Sequence, residues 1–123
     1  FVGSYPYMTA MQKMQEYDVL VLLEAVLKKG IFFASKFTDY AQLNRPILAI
    51  SPVNGFANST LTLQGGGIAV NNENHKDIKK GILTLYKAWQ ENTLNEKYST
   101  RQLYSRLSPE YVVNIYKNLL NAR

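Results

Sequence analysis

Ser35 and Lys36 are the residues of this chain best suited to hold an anion. They open a helical pattern, where free backbone N–H groups, the positive end of the helix dipole and a lysine ammonium converge. A phosphate fits that chemistry. The plainer reading is a serine N-cap beside a solvated lysine, and spacing by itself favours it. Asp39 follows one turn later. A carboxylate there can accept both hydroxyls of a ribose, or stand as an exposed helix carboxylate.

The remaining chemistry-bearing residues give less. Gly65, Gly66 and Gly67 lack the G-x-G-x-x-G spacing of a dinucleotide loop and precede an apolar run instead of following one. They read as a helix stop and tight turn. His75 stands alone, without a second metal ligand at useful spacing. Lys76, Lys79 and Lys80 make a basic, solvated helix face. The nine tyrosines are scattered and form no base-stacking platform. No Ser–His–Asp set, paired-carboxylate site or Walker motif is present, so no catalytic residue and no metal ligand is assigned.

The elements that must position these residues follow from hydrophobic pattern and turn chemistry. Residues 8–17 read as a helix on the recurrence of Met8, Met11 and Met14. The wholly apolar run 19–23 reads as a parallel strand covered on both faces. Residues 24–34 read as a loop. A helix over 35–43 is capped by Ser35, carries Phe37, Tyr40, Ala41 and Leu43 as its apolar face, and stops at Asn44 before Pro46. Strand 47–50 leads into the turn-rich loop 51–55. A short helix over 57–64 ends at Gly65, and strand 67–70 follows. A helix over 75–90 presents Ile78, Ile82, Leu85 and Trp89. Residues 91–97 form a link, and helices 99–106 and 109–121 close the chain, the last opened by Ser108-Pro109-Glu110.

Strand and helix alternate, so the fold class is α/β: a Rossmann-like three-layer sandwich with a parallel sheet and right-handed crossovers. Residues 1–92 form the ligand-binding unit, and the helices of 93–123 pack on it. Such sheets bind ligands beyond the carboxyl ends of their strands. Here those ends are Leu23-Glu24, residues 51–55 and residues 71–73.

Composition agrees with one globular domain. The chain has 123 residues with 46% hydrophobic and 19% charged, enough to fold without a metal or disulfide. The absence of cysteine excludes a disulfide scaffold, a thiolate zinc site and a cysteine nucleophile. A net charge of +5 attracts an anionic ligand but is no nucleic-acid signature. No apolar run approaches the roughly 20 residues that span a bilayer, and no signal peptide is visible. The start at Phe1-Val2-Gly3, without Met, reads as a piece cut from a longer protein.

The stretch Ala34-Ser35-Lys36-Phe37-Thr38-Asp39-Tyr40-Ala41-Gln42-Leu43-Asn44-Arg45-Pro46-Ile47-Leu48-Ala49 resembles a block written roughly P-S-K-x-F-E-Y-x-x-x-G-R-P-I-L-A. That block belongs to the C-terminal, donor-binding domain of two-domain glycosyltransferases of the GT-B fold, of the group-one or family-four type. Residues 11–23 resemble its helix and A-D-V-x-L-x-L strand, residues 64–70 its x-G-x-G-x-x-V segment, and residues 108–119 its closing helix. The order and spacing fit over nearly the whole chain.

The resemblance implies that Asp39 holds the ribose of a nucleoside-diphosphate sugar. It sets Ser35 and Lys36 near the donor diphosphate, and brings the loop of Ser51, Pro52, Asn54 and Gly55 toward the donor. It implies no cofactor, no metal and no nucleic-acid partner. It also implies a cytoplasmic location, with membrane association open through the full-length protein, and a missing N-terminal acceptor domain, without which the chain alone transfers no sugar. Three positions depart from the pattern. Ile31 stands eight positions before Asp39, where many relatives carry a second Glu; Asn44 replaces the Gly before Arg-Pro; and Ala34 replaces a Pro. A sugar-nucleotide epimerase shares the architecture, and a degenerate, non-enzymatic α/β interaction domain is the other alternative.

Overall fold

The computed structural model describes residues 4–26 and 35–122, the side chain of residue 35 apart. Three parallel strands form one sheet in the order β1-β2-β3: β1 (Leu20–Leu23), β2 (Ile47–Ser51) and β3 (Gly67–Asn71). The helices are α1 (Tyr7–Met14), α2 (Ser35–Gln42), α3 (Phe56–Gln64), α4 (His75–Gln90), α5 (Leu94–Lys97), α6 (Arg101–Leu107) and α7 (Pro109–Asn121). The α/β reading therefore holds, with helices on both sides of a parallel sheet.

The pleat divides the core in two. Leu22, Ile47 and Ala49 face one side and pack with Phe37 and Ala41 of α2, Ala57 and Leu61 of α3, and Leu103 of α6. Leu48 and Val70 face the other side and pack with Leu85 and Ala88 of α4 and Leu94 of α5. Phe37, Ile47 and Leu103 are fully buried.

Local chemistry explains the element ends. Asn44 stops α2 with a left-handed φ of 51°. Its Oδ1 accepts from the Thr100 amide (3.0 Å) and the Ser99 hydroxyl (3.1 Å), while the Thr100 hydroxyl donates to the Ala41 carbonyl (2.7 Å). An asparagine here both turns the chain and anchors the entry to α6, a task glycine cannot perform. Gly65 ends α3 at φ +72°. Gly67 lies so close to β2 that a Cβ there would collide with the Ile47 carbonyl. Asn74 caps α4 by accepting from the Asp77 amide (3.1 Å), and Ser108 caps α7 by accepting from the Tyr111 amide (3.3 Å) ahead of Pro109.

The structure corrects the sequence reading in four places. β1 is not covered on both faces: Leu20 and Leu22 are buried, but Val21 and Leu23 are 50% and 75% exposed. The face of α4 turned to the sheet is Gly81, Leu85 and Ala88, while Ile82 and Trp89 are about half exposed. Small residues let the helix approach closely, and a Cβ on Gly81 would meet Val70 Cγ1 at 2.6 Å. The first helix ends at Met14, three residues early, and the link after α4 contains the short helix α5. The loop expected over 24–34 is described only as far as residue 26.

The uncovered part of the sheet forms an open apolar groove of about 580 Å³, lined chiefly by Val19, Val21, Ile50, Ile82, Tyr86 and Trp89. Tyr86 and Trp89 stack there at 5.8 Å. α7 likewise has no buried residue. No helix among the described residues is long and apolar enough to cross a membrane.

Candidate functional site

α2 connects two parallel strands, so it runs against them and begins at their carboxyl end; the same holds for α3. The two helix starts are neighbours. The Phe37 and Phe56 rings meet edge to face, 5.9 Å between centroids at 77°, a geometry aromatic pairs favour. This contact joins the first turns of α2 and α3, next in sequence to Lys36 on one side and to Gly55 on the other. Lys36 is exposed. Gly55 is the N-cap of α3 and supplies no side-chain cap. The serine N-cap expected at residue 35 concerns a side chain outside the described residues.

Asp39 lies three residues beyond Lys36 and is partly exposed. Its Oδ1 accepts a 2.9 Å hydrogen bond from the Tyr7 hydroxyl of α1. That bond, above all, raises the pKa of the Tyr7 phenol, with smaller contributions from burial and the Asp39 charge. A carboxylate offers about four lone-pair positions, so one donor leaves acceptor capacity for others. Tyr40 donates to the Val21 carbonyl (3.2 Å), and burial, with help from Asp39, pushes its phenol up.

The loop after β2 is divided. Ser51 and Pro52 are buried, while Val53 and Asn54 are exposed. Asn58 donates to the Val53 carbonyl (2.8 Å) and the Ser59 hydroxyl to the Gly55 carbonyl (3.2 Å), fixing the loop against α3.

Three residues at this rim carry more structure than their sequence positions announced. The Glu24 amide donates to the Ile50 carbonyl (3.0 Å), extending the ladder one residue beyond β1. Burial raises the Glu24 carboxyl above its ordinary range. The Asn72 amide nitrogen Nδ2 donates to the carbonyls of Glu24 (3.3 Å) and Ala25 (3.1 Å), tying the exit of β3 to that of β1. Asp77 Oδ2 accepts from the Asn71 amide (2.8 Å), which fixes the start of α4. Sequence position identified Glu24 and residues 71–73 as strand ends but gave their atoms no task; Tyr7 carried no signal at all.

Among the described residues no group of three or more His, Cys, Asp or Glu side chains could hold a metal ion. Comparison with family models, curated proteins and solved structures finds no match to this chain. The fold and the rim chemistry therefore carry the functional argument.

Proposed function

We propose that this chain is the nucleotide-sugar-binding part of a glycosyltransferase of the GT-B type, working within a longer protein. The observation that carries the reading is the Phe37–Phe56 contact, which joins two helix starts at the carboxyl end of a parallel sheet. Lys36 and the positive ends of two helix dipoles favour a diphosphate. Asp39, one turn along α2, is suited to a ribose, and the loop of Ser51, Pro52, Asn54 and Gly55 borders the same place. In sugar transfer the leaving diphosphate gains negative charge, which oriented N–H groups and Lys36 stabilise as it develops. The half-covered sheet and the unburied face of α7 support a role joined to further structure, consistent with a separate acceptor-binding domain, so the chain alone is expected to transfer no sugar.

A second reading has a specific observation behind it. Asp39 is already engaged by Tyr7, as suits a domain that keeps the fold and uses it to bind another protein. An amide NMR titration with UDP, GDP and ADP separates the two. Nucleotide binding predicts shifts at residues 36–39 and 53–55 that weaken in Asp39→Ala. Absence of shifts with all three on folded protein favours the interaction domain.

A further inference from the structure

Glu24 and Ser51 stand at one level on adjoining strands. Leu23 pairs with Ile50 in the register, so the next residues, Glu24 and Ser51, are neighbours. Each lies two residues beyond a core residue of the same face, Leu22 and Ala49, and strand side chains alternate with a period of two. Glu24 and Ser51 therefore share the α2 and α3 side of the sheet.

Both end in a buried oxygen without a hydrogen-bond partner, Glu24 Oε2 and Ser51 Oγ; Asn72 Oδ1 is a third. Ser51 is 1% exposed. Folded proteins pair nearly all such atoms, because an unpaired one has lost water and gained nothing. Here the unpaired oxygens of Glu24 and Ser51 lie on one face of adjoining strand exits, at the end of the sheet where α/β folds hold ligands.

The donor set selects the ligand. A carboxyl oxygen and a hydroxyl are both acceptors, and only the serine hydroxyl and a protonated carboxyl can donate. A phosphate brings further acceptors and negative charge, so it is disfavoured. A metal cation would meet one carboxyl group, already pushed toward its neutral form. A ring bearing several hydroxyls brings O–H donors and fits.

We propose that Glu24 and Ser51 form a subsite for sugar hydroxyls, taking the glycosyl group of the nucleotide sugar while Lys36 and the helix starts take its diphosphate. This rests on the nucleotide-sugar reading above. It moves sugar recognition to the strand exits, away from position 31, where the resembling family keeps a glutamate and this chain has isoleucine.

The test is calorimetric titration of the chain with UDP, UDP-glucose, GDP and GDP-mannose, repeated on Ser51→Ala and Glu24→Gln. In the unmodified chain one sugar nucleotide binds about tenfold tighter than its parent diphosphate, the worth of a hydrogen bond or two. Either variant weakens binding of the sugar nucleotide more than that of its parent diphosphate, so the preference disappears. Equal binding of sugar nucleotide and diphosphate by the unmodified chain overturns the proposal, since the oxygens then hold water only. So does a preference that survives both substitutions, or a loss of diphosphate affinity in step with a fall in melting temperature. If no diphosphate binds, the nucleotide reading falls by itself. The subsite is then tested with excess glucose, mannose and galactose, following the amides of residues 24 and 51 by NMR. Shifts that disappear in Ser51→Ala uphold it, and no shifts overturn it.

Discussion

The two faces of the sheet are built from the same strands but finished differently. On one face α2, α3 and α6 close over Leu22, Ile47 and Ala49, and Phe37 and Leu103 are buried completely. On the other, α4 covers β2 and β3 but leaves β1 bare, so Val21 looks into an open groove and Leu23 is exposed. The closed face lies beneath both helix starts and the polar rim. The open face offers apolar area with few polar groups to orient a small ligand. All-parallel sheets are ordinarily covered on both sides, and exposed apolar patches mark places where another surface docks. The polar rim and the open apolar area are thus separated by the thickness of one sheet.

The largest test of this contrast is Phe37→Ala. The ring is fully buried and braces α2 against α3, so urea unfolding should record a loss of about 3–5 kcal/mol, a large share of the roughly 5–15 kcal/mol that holds a typical domain. An unchanged midpoint would mean that the closed face is no better packed than the open one. Asn44→Gly keeps the left-handed turn but removes an acceptor serving Ser99 and Thr100. The expected loss is about 1–3 kcal/mol, from donors left without their partner. A neutral result would show that α6 holds its place on α2 and α3 without this anchor.

Glu24→Gln sharpens the contrast at the rim, and its effect depends on pH. Burial raises the Glu24 carboxyl in the folded chain, so the folded state binds that proton more tightly than the unfolded state. The stability linked to this proton is full below the ordinary carboxylate range and is lost as pH rises through the folded value. Glutamine carries no such dependence. Thermal melts should therefore show the variant gaining on the unmodified chain between acid and neutral pH, with no difference in acid. The reverse trend would mean that the carboxylate is favoured in the fold. The smallest stability effect belongs to Val21→Thr on the open face, within about 0.5 kcal/mol. Its readout is a fall in the fluorescence of an apolar dye bound at the groove that Val21 lines. A large destabilisation would mean that Val21 is a core residue after all.

The fold was legible in the sequence wherever one residue type does one local job. Ser108 and Pro109 start α7, and Asn44 and Gly65 stop helices, each through its own side chain or its tolerance of positive φ. Burial was less legible. An apolar run in β1 says what each residue prefers, not what stands opposite it, so Val21 and Leu23 were expected in a core that does not reach them. Large apolar residues likewise drew the reading of α4 toward Ile82 and Trp89, whereas Gly81 and Ala88 make the contact because they are small. In the site, Lys36 and Asp39 followed from helical spacing. Tyr7, 32 residues from Asp39, did not, because only the tertiary fold brings α1 to α2. Glu24 beside Ser51 required a strand register, which hydrophobic pattern does not supply.

The two hydrogen bonds from Asn72 to the exit of β1 bridge 48 and 47 residues of chain. Closing loops of that length costs entropy that no local interaction repays in advance. Helices can flicker into existence early, but this bridge requires β1, β2 and β3 to be aligned already. The rim therefore forms only once the three strands are aligned, and a chain that has collapsed without completing its sheet has its helices and no such rim. Binding at the strand exits would then report nativeness itself, ignoring every partly folded form that shares the same helical content.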